Sequence, residues 1–102
     1  MEERRYFPRV AVELGVKMTV DGCEYDRLFI DMGLGGARIA HDIRITAGSI
    51  LTVQFTLPNA LTEPIHITAK ARWNAANVLG VTFDGFRARE VWLLNRYFRS
   101  LQ

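Results

Sequence analysis

Cysteine, histidine and lysine are scarce in this 102-residue chain, and each scarcity closes off a kind of chemistry. The single cysteine, Cys23, has no partner for an internal disulfide and no companion at a metal-ligand spacing. It reads as an unreactive residue near a turn, in a reduced, cytoplasmic setting. The two histidines, His41 and His66, show no HExxH-type spacing, and both are expected on the surface. No Gly-x-Ser-x-Gly elbow, no phosphate-binding P-loop and no acidic pair at a general acid–base spacing is present. Catalysis, a metal site and a bound cofactor are therefore not expected. The N-terminus is charged from Glu2 onward, and no apolar run approaches membrane-spanning length. Neither secretion nor membrane insertion is expected.

What remains is ordinary globular material, 49% hydrophobic, enough for one domain over residues 1–102. The net charge of +2 is small but unevenly spread. Arg4, Arg5 and Arg9 lie at the front, and Arg87, Arg89, Arg96 and Arg99 at the back. Lysine is nearly absent, with only Lys17 and Lys70. A planar guanidinium fork grips phosphate and stacks on bases better than an ammonium does, so the bias points to an anionic planar ligand. No basic stripe follows a single helix or repeated loop, which argues against duplex DNA as a partner.

The stretch that organises the chain is Asp31-Met32-Gly33-Leu34-Gly35-Gly36, between strand-like runs at Tyr25–Ile30 and Ala37–Ala40. Three glycines in four positions permit positive φ and let a ligand come close to the backbone. Asp31 adds two acceptor oxygens beside that bare backbone, an edge suited to a flat ligand with N–H donors such as guanine. A bulged turn whose Asp caps its own backbone fits the same residues.

Before it, Glu2 to Arg9 reads as extended or turned, because Pro8 keeps Phe7 out of the helical region. Arg5 and Arg9 then lie up to ~13 Å apart, the span of a dinucleotide-sized ligand. A frayed basic tail with Tyr6 and Phe7 tucked onto the barrel is the plainer alternative. Val10–Val20 alternates, with Val10, Val12, Leu14, Val16, Met18 and Val20 on one face, and Asp21-Gly22 signals a hairpin. A connector with a turn at Ala47-Gly48 leads to alternating runs at Ile50–Leu57 and Ile65–Trp73, the second placing Trp73 inward. Asn74–Asn77 turns the chain into Val78–Phe83. Short, evenly spaced strands predict an antiparallel barrel or a strongly curved sheet over residues 10–83. From Arg87 to Leu101 the period becomes helical, with Val91, Leu94, Phe98 and Leu101 in one stripe and Trp92 and Tyr97 beside it. That stripe covers a barrel opening, and its flanks leave a homodimer face open.

Arg5-Tyr6-Phe7-Pro8-Arg9, followed about twenty residues later by Asp31-Met32-Gly33-Leu34-Gly35-Gly36, resembles the two-part signature of the PilZ domain. That signature is Arg-x-x-x-Arg, then Asp/Asn-x-Ser-x-x-Gly. The resemblance implies a six-stranded antiparallel β-barrel closed by one C-terminal helix, after a flexible arm at residues 1–9. It implies cyclic di-GMP as ligand. Arg5 and Arg9 would meet phosphate and guanine, consistent with the bidentate fit of arginine to guanine O6 and N7. Asp31 would accept guanine N–H groups, and Gly36 would supply the close backbone. Arg4 stands where an arginine accompanies a stacked nucleotide dimer. One position departs: Gly33 replaces the family's serine, a hydroxyl worth about 1 kcal/mol of hydrogen bonding.

Two functions follow from this resemblance. One is a nucleotide-responsive adaptor that passes the second-messenger level to a protein partner in motility, pilus or exopolysaccharide control. The other is a degenerate module that contacts proteins without binding nucleotide. Arg5, Arg9, Asp31 and Gly36 favour the first, Gly33 the second.

Overall fold

Asp21 and Gly22 both adopt positive φ, 51° and 80°, and join two directly paired residues, Val20 and Cys23. Two left-handed residues in a two-residue loop match the right-handed twist of the strands they connect. The same device recurs at Ala76 and Asn77 (φ 41° and 70°), between the paired Ala75 and Val78. The computed structural model describes residues 9–59 and 63–101. The arm expected at residues 1–9 falls outside them except for Arg9, which is exposed.

Six strands follow in order: β1 (Val10–Val20), β2 (Cys23–Met32), β3 (Gly36–Ala40), β4 (Ile50–Phe55), β5 (Ile65–Ala75) and β6 (Val78–Phe83). All pairings are antiparallel, and the sheet closes in the order β1-β2-β3-β6-β5-β4. Closure runs through Lys17–Gln54, Met18–Val53 and Thr19–Thr52. Alternation fills the interior with Val12, Leu14, Val16, Met18 and Val20 of β1 and with Leu51, Val53 and Phe55 of β4. Ile65, Ile67, Ala69 and Ala71 line it from β5.

The helix α1 (Ala88–Ser100) starts where the Glu90 carboxylate accepts the Arg87 backbone N–H at 2.9 Å. Satisfying one of the unpaired N–H groups of the first turn fixes the start. Leu94, Tyr97 and Phe98 join the barrel core. Leu93 lines a cleft with Ile65, and Tyr97 another with Val12 and Pro58. The helix thus covers the end of the barrel where β1 and β5 begin. The expected stripe shifts slightly: Tyr97 is buried, whereas Leu101 is 44% exposed because it caps the helix C-terminus. Trp92 faces outward, with the Arg96 guanidinium 4.8 Å from its ring centre.

Two strands break their own alternation, and both breaks change a reading of the sequence. On β2, Phe29 and Met32 both point into the barrel although they are three positions apart. Phe29 pairs with Ile39 and Asp31 with Arg38, so Ile30 is an extra residue against β3. On β5, Ala71 pairs with Val81 but Trp73 with Gly80, which makes Arg72 the extra residue. A bulge of this kind reverses which face the following residues take. Trp73, expected inside, therefore lies 42% exposed on the outer face, with its indole over Gly80.

His41 corrects a second expectation. It is 5% exposed, at the end of β3, and neither ring nitrogen has a hydrogen-bond partner among the described residues. Tyr25 meets it edge-on at 5.5 Å. Tyr25 in turn carries the Arg27 guanidinium, which pairs with Asp42 at 3.1 Å. Burial, then the charge of Arg27, pushes the His41 pKa below its ordinary value against a smaller opposing pull from Asp42. His66 is exposed, as expected.

Candidate functional site

The extra residue at Ile30 decides where Asp31 goes. Strict alternation from Phe29 would aim Asp31 into the apolar interior, where an unpaired carboxylate is prohibitively costly. The bulge sends Met32 inward instead and turns Asp31 onto the outer face, opposite Arg38 of β3. There the two side chains interlock. Arg38 donates from Nε to Asp31 Oδ2 at 2.8 Å, and its Nη2 lies 2.7 Å from the same oxygen. The Arg38 backbone N–H donates to Oδ1 at 3.2 Å. The Asp31 side chain is 14% exposed and that of Arg38 43%. The hydrogen bond to Asp31, then the carboxylate's charge, raises the pKa of Arg38, so its guanidinium stays ionised.

The glycine-rich stretch closes as a tight hairpin beside this pair. Gly33 N–H donates to Gly36 C=O at 2.9 Å, leaving Leu34 and Gly35 as the tip. Phe83 N–H donates to Gly35 C=O at 2.9 Å, which ties the tip to the end of β6. The positive-φ glycines among the described residues are Gly22, Gly48 and Gly85, so the hairpin does not use the left-handed freedom that its glycines permit. Gly36 is small for another reason. A β-carbon there would run into the Val81 carbonyl oxygen and sit 3.3 Å from Thr82 Cα. The backbone that approaches Gly36 closely is thus strand β6.

Arg9 immediately precedes Val10, which pairs with Met32, so the arm enters the barrel beside the hairpin. Arg4 and Arg5 lie outside the described residues. Asp31, Gly33 and Gly36 are gathered on one hairpin with Arg9 at its edge. Across the outer face the pairing continues from Asp31 to Arg38, from Arg38 to Gly80 and from Gly80 to Trp73. One row therefore carries an acid, a guanidinium and an exposed indole. No motif spacing marks Arg38 or Trp73 as site residues: the Ile30 bulge brings Asp31 opposite Arg38, and the Arg72 bulge turns Trp73 outward.

Among the described residues, no group of three His, Cys, Asp or Glu side chains could hold a metal ion. Nor is any helix among them long and apolar enough to cross a membrane. The row offers hydrogen-bond acceptors, fixed positive charge and a flat apolar face, which are the components of nucleotide recognition.

Comparison with known proteins agrees on the fold. The PilZ domain family model matches residues 3–100. A search of curated proteins finds no match. The crystal structure of the PilZ domain of CeSA from a cellulose-synthesizing bacterium superimposes with a TM-score of 0.71 at 11% identity. That match covers 92% of this chain and 97% of that one. The Bacillus subtilis inhibitor of motility (MotI/DgrA) gives a TM-score of 0.79 at 21% identity, over 99% of this chain and 52% of that one. The Borreliella burgdorferi PlzA protein, solved in complex with c-di-GMP, gives 0.70 at 20% identity, over 93% of this chain and 41% of that one. The chain spans about half the length of MotI/DgrA and less of PlzA. With a barrel closed by a C-terminal helix and a family model matched over nearly its whole length, the chain belongs to the PilZ domain family.

Proposed function

We propose that this chain binds cyclic di-GMP on the outer face of its barrel and passes the second-messenger level to a protein partner. The observation that carries the reading is Asp31, an ionisable acceptor turned outward by the Ile30 bulge beside the entry of the arginine-bearing arm. In this reading Asp31 accepts guanine N–H groups, and Arg9, with Arg5, takes phosphate and the guanine O6/N7 edge. Arg4 engages a second, stacked nucleotide. Trp73 offers a flat face three strands away from Asp31, suited to a base. The ligand is the one held by PlzA, a family relative.

Ligand capture by the arm would order it against the barrel, and the changed surface would engage or release the partner. The outer face of α1, with Trp92 under Arg96, is the proposed contact for that partner or for a second copy of the chain. The proposed setting is cytoplasmic, with no catalytic step. Calorimetric titration with cyclic di-GMP tests the binding. Saturable heat that Arg9→Ala and Asp31→Ala each diminish is expected.

Gly33 favours a second reading. Lacking the family's serine hydroxyl, the hairpin loses a hydrogen-bonding group worth about 1 kcal/mol. A module that no longer binds nucleotide and works through protein contacts alone would show no heat at high micromolar ligand.

A further inference from the structure

We infer that Arg38 is an exchangeable counterion of Asp31, which a guanine base must displace before Asp31 can read it; the inference rests on the binding reading above. An ionised carboxylate has about two lone-pair sites on each oxygen. Arg38 Nε donates to Asp31 Oδ2 at 2.8 Å, and Nη2, in ionic contact at 2.7 Å, crowds the rest of that oxygen. Among the described residues, one donor, the Arg38 backbone N–H, reaches Oδ1.

The Watson–Crick edge of guanine presents two adjacent donors, N1–H and N2–H, which a carboxylate accepts with one oxygen each. Oδ1 has a site to spare, and Oδ2 is blocked while the guanidinium sits against it. The two-point grip therefore begins when the fork leaves Oδ2. The backbone N–H on Oδ1 belongs to the β3 strand and stays, so the carboxylate keeps its position when the side chain departs. The released guanidinium has room to move, since the Arg38 side chain is already 43% exposed.

Exchange of this kind sets a cost on the second bond. A ligand that offers a single donor satisfies Oδ1 and leaves the fork in place. A ligand that offers two donors gains the second bond only by replacing the guanidinium, so the fork lowers the net affinity for the guanine edge. In the free chain the same guanidinium keeps a mostly buried carboxylate compensated, which avoids the cost of leaving it unpaired.

Arg38→Lys separates the fork from the charge. Lysine keeps a positive charge near an anionic ligand but cannot place two rigid donors on one oxygen. Calorimetric titration of the whole chain with cyclic di-GMP should show Arg38→Lys binding tighter than wild type, by up to about tenfold, with both proteins folded by thermal melting. In parallel, the Arg38 Nε–H resonance of the wild type, assigned by its loss in Arg38→Lys, should shift at saturation and exchange faster with water. Wild-type binding with Arg38→Lys equal or weaker, or with an unchanged Nε–H resonance, would overturn the exchange and leave the binding reading standing. Absence of heat from both proteins would overturn the two together.

Discussion

Gly36 of β3 and Val81 of β6 approach so closely that a β-carbon on Gly36 would strike the Val81 carbonyl oxygen. Gly36 pairs with Thr82 and Ala37 with Val81, so the crowding falls inside the ladder that ties β3 to β6. The obstacle is backbone, which cannot rotate aside as a side chain can.

Gly36→Ala should therefore act on the fold. The expected loss is about 1–3 kcal/mol, the usual range for overpacking a filled interior. Urea unfolding measures it as a lowered midpoint with an unchanged slope. A variant of wild-type stability that no longer binds cyclic di-GMP would instead assign the close approach at Gly36 to the ligand.

Much of the barrel can be read from the sequence because its alternation is uninterrupted where the strands are regular. Strands β1 and β6 have the bounds expected from their patterns, and the Asp21-Gly22 turn is set by two residues alone. Bulges are different. Nothing local at Ile30 or Arg72 announces an extra residue, because a register slip is settled by the strand across the ladder. Asp31 is named by its motif, yet its partner Arg38 becomes a site residue only once β2 and β3 are in register. Trp73 is displaced to the surface by the same kind of slip. His41 follows a strand end, where polar residues are usually solvated, and its burial comes from a tertiary neighbour, Tyr25.

His41 makes stability depend on pH. Its pKa is depressed in the folded chain by burial and by Arg27, so between the folded value and the unfolded one the unfolded chain binds more protons. The imidazole's contribution is complete above the unfolded value of about 6.5 and is lost as the pH falls from there through the folded pKa. His41→Phe keeps an aromatic ring against Tyr25 and removes two buried nitrogens that have no partner among the described residues. It should stabilise the chain by about 1 kcal/mol at neutral pH, within the range for an unsatisfied buried polar group. Unfolding midpoints at pH 7.5 and pH 5.5 should then differ less than in wild type. An unchanged difference would mean that His41 is not the titrating group.

Gly33→Ser restores the hydroxyl found at this position in most of the family. Gly33 is not among the positive-φ residues, so serine meets no left-handed strain there. Narrowing the backbone freedom of the unligated chain adds a further gain. Paired titrations should show tighter cyclic di-GMP binding, by up to about tenfold, equivalent to the ~1 kcal/mol of one hydrogen bond. Melting temperatures serve as the control for packing. Weaker binding at unchanged stability would show that the hairpin makes a different contact at this position.

The most direct measurement is calorimetric titration of the wild-type chain with cyclic di-GMP, beside Arg9→Ala and Asp31→Ala. Arg9 is exposed and Asp31 faces away from the apolar interior, so both variants should stay folded, which thermal melting checks. Saturable heat in the wild type is expected, weakened at least tenfold in each variant, as the loss of a charge-assisted hydrogen bond of about 1.5–3 kcal/mol requires. No heat from the wild type at high micromolar ligand, or full heat from Asp31→Ala, would contradict a nucleotide site at the Asp31 hairpin.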